Sequence, residues 1–105
     1  MSVNSKSGKI ITEIEARDYT HSFQSKYPNV TKAYFVGAEK INLILEQENC
    51  IGMRIYDGYD SDTKKENRVI VGVDQKGEDM IEGVIIEELV SCPNYCPKSS
   101  SLVKR

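Results

Sequence analysis

Two alternating apolar runs, Ile51 to Tyr56 and Val69 to Asp74, flank a polar stretch and leave this chain few folds to choose from. In the first run Ile51, Met53 and Ile55 alternate with Gly52, Arg54 and Tyr56. In the second, Val69, Val71 and Val73 alternate with Ile70, Gly72 and Asp74. Period-two alternation with β-branched residues marks a half-buried strand. The stretch from Gly58 to Glu66 is charged and turn-prone, so the whole reads as a β-hairpin. The simplest antiparallel register pairs Ile55 with Val69, Met53 with Val71 and Ile51 with Val73, which puts six apolar side chains on one face. It also sets Arg54 opposite Ile70, Tyr56 opposite Arg68 and Gly52 opposite Gly72. Two facing glycines leave a bare spot of the kind where another backbone or a ligand approaches closely. A slip by one residue would turn the apolar set to the other face.

Two helices are predicted before the hairpin. Thr12 and Glu15 have capping-box spacing. Ala16, Tyr19, Phe23 and Tyr27 then recur at steps of three, four and four, an apolar stripe expected to face inward. Pro28 disfavours helical geometry at Tyr27 and ends the element. Val30 to Val36 is a short β-branched and aromatic run, read as an extended connector or an edge strand. Gly37 opens the second helix, with Glu39 where the helix dipole favours an acid. Ile41, Ile44 and Leu45 are its expected inner face, and Asn49 its expected stop. After the hairpin, Asp74 to Gly77 is a tight-turn sequence with glycine at the position needing positive φ. Met80 to Ile86 is expected to return as a third strand. The fold class that follows is α+β: two N-terminal helices packed on a small antiparallel β-meander, in the order α-α-β-β-β. Residues 10–97 form the expected single domain, between a flexible N-terminal segment (1–9) and a flexible polar tail (98–105).

The 105 residues are enough for one modest core. The chain holds 14 bases and 16 acids. Five of the bases (Lys6, Lys9, Lys98, Lys104 and Arg105) lie in the end segments, which leaves nine bases against sixteen acids between them. That balance argues against a nucleic-acid surface, which needs clustered Lys and Arg. No apolar run reaches the length of a membrane span. The N-terminal residues lack the apolar core of a signal peptide. Three cysteines are an odd number. The expected compartment is the cytoplasm.

Chemistry concentrates at few positions. Cys92 and Cys96 are spaced by three residues, not the two of a redox or zinc-knuckle pair. With Cys50 and His21 they supply the four ligands of a Cys3His zinc site by count, though without ligand-pair spacing between the latter two. A Cys92–Cys96 disulfide is a second reading, and a pair of reduced thiols on a proline-stiffened turn is the plainest. Catalysis through His21 would need a thiolate within hydrogen-bond reach and an orienting group behind it. Asp57, Asp60 and Asp62 invite a calcium loop, but one starting at Asp60 places Lys64, Lys65 and Val71 at defining positions. No phosphate loop, nucleophile elbow or metalloprotease motif is present, and no motif requires a cofactor. Arg54, Tyr56, Arg68 and Ile70 form the expected outer sheet face, and Tyr and Arg are enriched in binding hot spots.

In order, these features resemble a family of small uncharacterised bacterial proteins. The motifs that carry the resemblance are a Gly-x-Arg-x-Tyr strand (Gly52 to Tyr56), a Val-Gly-x-Asp strand end (Val71 to Asp74) and a Cys-Pro-x-Tyr-Cys turn (Cys92 to Cys96), spread over most of residues 12–97. The resemblance implies a shape and no activity. The functional expectation is a non-catalytic module that binds another protein, or a second copy of itself, through Arg54, Tyr56, Arg68 and Ile70. The alternative is a thiol-based metal or redox site at Cys92 and Cys96, with Cys50 and His21 as further ligands.

Overall fold

A computed structural model describes residues 3–105, so Met1 and Ser2 of the N-terminal segment lie outside the described residues. The elements run α1 (Glu13–Lys26), β1 (Ala33–Phe35), α2 (Ala38–Leu45), β2 (Gly52–Asp60), β3 (Lys65–Val73), β4 (Ile85–Ile86) and β5 (Val90–Cys92). The class is α+β, with two helices and antiparallel sheets. The elements group into two compact units. A hairpin unit holds Val36–Leu89 and the segment ending at Ser7. A ribbon unit holds Gly8–Phe35 and Val90–Arg105. Only α2 shares a unit with the β2-β3-β4 sheet, in place of the two helices expected over one meander.

In the hairpin unit, β2 and β3 pair with Ile55 opposite Ile70, Arg54 opposite Val71, Met53 opposite Gly72 and Tyr56 opposite Val69. This is one residue away from the register expected from alternation. The physical reason is that β3 is the central strand. A strand buried on both faces reads as a continuous apolar run, and Val69 to Val73 does so, leaving alternation no face to choose. Ile70 therefore points to the α2 side, where it forms the core with Ile44 and Ile86, flanked by Val36, Cys50, Val84 and Leu89. Val71 and Val73 are buried on the opposite face, which they share with Gly52, Arg54 and Tyr56. Of the inner face expected on α2, Ile44 is fully buried, Ile41 is half-buried and Leu45 is exposed. Asn49 stops the segment after the helix with a φ of 68°.

The expected gap between Gly52 and Gly72 does not exist. Gly72 faces Met53, and a Cβ there would lie 2.8 Å from the Gln47 Nε2 and 3.2 Å from the Cys50 sulfur. Gln47 explains Gly83 as well. Its amide donates to the Ile44 carbonyl and accepts from the Val84 N–H, which ties α2 to the approach of β4. A Cβ at Gly83 would overlap the Gln47 Oε1. The turn after β3 closes as its residues predict. Asp74 Oδ1 accepts from the Lys76 and Glu78 N–H groups, and Gly77 takes φ 81°.

The ribbon unit is built on α1, whose capping box forms as predicted: Glu15 N–H donates to Thr12 Oγ1, and Thr12 N–H to Glu15 Oε1. The expected inner stripe is mostly outside. Tyr19, Phe23 and Tyr27 are exposed, and only Ala16 of the four is half-buried. The covered positions beside it are Arg17, Thr20, His21 and Gln24, a polar face at helical spacing. Backbone of the C-terminal segment lies against that face: the Gln24 amide donates to the Leu102 carbonyl and accepts from the Lys104 N–H. Val30 to Val36 does contain a strand. β1 pairs with β5, Ala33 opposite Cys92 and Phe35 opposite Val90.

Candidate functional site

The four residues expected on one outer face are divided by the register. Ile70, 2 % exposed, is core and cannot meet a partner. Arg68 is half-buried and its Nε lies 3.0 Å from the exposed carboxylate of Asp57. Arg54 and Tyr56 remain neighbours, but both turn to Asp79. Arg54 Nη1 lies 2.5 Å from one Asp79 oxygen and also donates to the Gly77 carbonyl at 3.3 Å. The Tyr56 hydroxyl donates to the other Asp79 oxygen. One carboxylate thus pins the 74–80 turn to β2, so this cluster is a bracket within the unit. Asp79 was not legible as a partner, because it stands in a run of acids with nothing local to single it out.

The bracket has a pH signature. The hydrogen bonds from Tyr56 and Arg54 hold the Asp79 carboxyl below the usual carboxylate range, and Asp79 in turn raises both Tyr56 and Arg54. Asp79 binds its proton less tightly folded than unfolded. Its pairing therefore stabilises the fold fully above the ordinary carboxylate value of about 4, and that contribution disappears as pH falls through the lowered folded value. Tyr56 works in the opposite sense: its share is complete below about 10 and is lost as pH rises through the raised folded value. The expected result is that Asp79→Asn lowers the thermal midpoint at neutral pH and removes part of the midpoint's fall on acidification. Melting curves of both proteins across the acid range check this. Parallel curves would show that Asp79 carries none of the acid sensitivity.

The four thiol and imidazole candidates do not converge as ligands. Among the described residues, no three His, Cys, Asp or Glu side chains are grouped as a metal requires. His21 Nε2 lies 2.9 Å from the Ser101 carbonyl oxygen, within the ribbon unit. Cys50 is a free, half-buried thiol that donates to the Gly52 carbonyl at 3.2 Å in the hairpin unit. Cys92 and Cys96 form a disulfide, in place of the reduced pair that was the plainest expectation. The calcium reading also falls away. Asp60 Oδ1 accepts from the Asp62 and Thr63 N–H groups and so closes the hairpin turn.

What the ribbon unit presents instead is an apolar groove of about 560 Å³, lined by Tyr34, Phe35, Val90, Tyr95 and Pro97 beside the disulfide. Phe35 is 66 % and Tyr95 76 % exposed. The groove exists because β1 and β5 pair, and their strands are nearly sixty positions apart in the chain.

Nothing matches. No protein-family model, no curated protein and no solved structure corresponds to this chain. The resemblance to small bacterial proteins rests on its short motifs alone, and function has to be argued from the surfaces. Among the described residues no helix is long and apolar enough to cross a membrane.

The signal that would have found the groove is the pair of short runs Tyr34 to Val36 and Leu89 to Val90. Each is too brief to be assigned to a strand on its own.

Proposed function

We propose that this chain is a non-catalytic association module, and that the groove of the ribbon unit takes up a second copy of the chain. The observation that carries the proposal is the exposed apolar surface of that unit. Phe35, Val90 and Tyr95 surround the groove, while Tyr19, Phe23 and Tyr27 are exposed along α1. Contiguous exposed apolar surface marks interaction sites, and aromatic residues dominate their energetics. A unit this small, whose buried side chains are Gln24 and Cys92, gains by covering such a surface.

Charge favours a second copy as the occupant. The ribbon unit carries seven bases (Lys9, Arg17, Lys26, Lys32, Lys98, Lys104 and Arg105) against Glu13, Glu15 and Asp18. The hairpin unit holds the other thirteen of the sixteen acids. Its long strand β2 lies at the sheet edge and exposes Ile55 and Tyr59 among Asp57 and Asp60. The exposed edge of β2 takes the place of the outer sheet face in this proposal, with Ile55 and Tyr59 on the Ile70 side of the sheet. Contact between an acidic edge and the apolar groove of a basic unit joins unlike surfaces, so the association is head to tail.

Light scattering over a range of concentration and salt tests this. The expected result is a mass that rises with concentration and falls as salt screens the exposed charges. Phe35→Ser with Tyr95→Ser should shift the chain to monomer with its circular dichroism unchanged. A wild-type chain that is monomeric throughout sinks the proposal.

A further inference from the structure

The Cys92–Cys96 disulfide has properties that a structural cross-link does not need. It spans only four positions and closes the short turn Pro93, Asn94 and Tyr95 at the end of β5. The constraint that a disulfide places on the unfolded chain grows with the loop it closes, so this short loop adds less than a long one would. The turn has other ties: the Tyr95 N–H donates to the Ser91 carbonyl, and the Lys32 N–H to the Cys92 carbonyl. Paired β1 and β5, and the clamp from Gln24 to Leu102 and Lys104, also hold the ribbon unit without it. None of these ties uses a sulfur atom.

The two sulfurs are unequal. Cys92 is 3 % exposed and lies within the paired strand, whereas Cys96 is half-buried at the turn's outer end. Both line the open groove beside the exposed ring of Tyr95. Thiol–disulfide exchange is governed by access and by which sulfur is attacked.

We propose that Cys92–Cys96 is a reversible thiol–disulfide exchange site whose co-reactant is a dithiol, and that Cys96 is the sulfur attacked. A thiolate of the dithiol bonds to Cys96 Sγ, the Cys92–Cys96 bond breaks, and Cys92 leaves as a thiolate that takes a proton from water. The dithiol's second thiolate then attacks its own sulfur in the mixed disulfide and expels the Cys96 thiolate. The chain gains two electrons and becomes a dithiol, and the co-reactant is oxidised to a disulfide. In the reverse direction the reduced chain passes two electrons to a disulfide. Both sulfurs line the groove that a second copy would cover, so the exchange is read at protein concentrations where light scattering shows the dissociated chain.

The probes are dithiothreitol and oxidised glutathione, with Cys50→Ser as background so that two thiols remain. The folded chain is titrated with dithiothreitol, alkylated and read by mass spectrometry. Cys92 and Cys96 are expected to become alkylated together, with circular dichroism unchanged, and to reclose when dithiothreitol is exchanged for oxidised glutathione. With oxidised glutathione, Cys92→Ser should acquire its adduct on Cys96 at least about tenfold faster than Cys96→Ser acquires one on Cys92. A pair that stays closed in excess dithiothreitol until the chain is unfolded overturns the site. Equal or inverted adduct rates overturn the assignment of Cys96 as the entry point.

Discussion

Ile70→Ala is expected to cost about 2–5 kcal/mol of stability, and Ile55→Ala within about 0.5 kcal/mol of nothing. The two residues face each other across β2 and β3 and differ only in cover. Ile70 is 2 % exposed among Ile44 and Ile86, so truncating it removes contacts on every side and leaves a cavity. Ile55 is 60 % exposed on the edge strand, and water already occupies much of the space that truncation would open. Against a total stability of roughly 5–15 kcal/mol, the first change is a large fraction and the second is not. Urea unfolding of both variants and wild type reads the difference as a shift of midpoint at constant slope. The register expected from alternation alone reverses the order, because it turns Ile55 inward and Ile70 outward. Equal costs, or a larger cost for Ile55, would therefore reject the pairing of Ile55 with Ile70.

That contrast also marks how far the residues could be read. The hairpin was legible because two β-branched runs flank a polar stretch, and that pattern is local. Its register was not, because β3 is buried on both faces and Val69 to Val73 carries no polar residue to show which face is inside. Thr12 with Glu15 and Gly77 were legible for the same local reason: a cap and a turn are decided by neighbours in sequence. The groove and the Asp79 bracket were hidden because their members are brought together by pairing across long stretches of chain. The cysteine turn was legible as a candidate, but its bonded state depends on geometry that spacing does not encode. On α1 the apolar spacing misled. Tyr19, Phe23 and Tyr27 repeat as a core stripe would, yet the face that is covered is polar. A polar helix face can be buried only if its groups find partners, and here the partners are backbone atoms about eighty positions away.

Gln24 is the test of that arrangement. Gln24 is 7 % exposed and makes two hydrogen bonds to the backbone of the C-terminal turn, donating to Leu102 and accepting from Lys104 two residues on. An amide satisfies both because it carries a donor and an acceptor side by side, as a strand backbone does. Leucine is close to glutamine in size but offers neither, so Gln24→Leu keeps the packing and leaves a carbonyl and an N–H without their partner. The expected cost is roughly 1–3 kcal/mol, the range for losing such bonds where the groups left behind are partly buried. At this chain length each kcal/mol lowers the melting midpoint by about 4–8 °C. The local consequence should exceed the global one. The amide of Lys104 loses its acceptor, so its hydrogen exchange should accelerate more than that of the β3 amides, and trypsin should cut after Lys104 sooner than in wild type. His21 still meets the Ser101 carbonyl in the variant, so the segment should loosen from Leu102 outward and not as a whole. Unchanged exchange at Lys104 would mean that the clamp does not hold the tail, and the polar face of α1 would then be covered for some other reason.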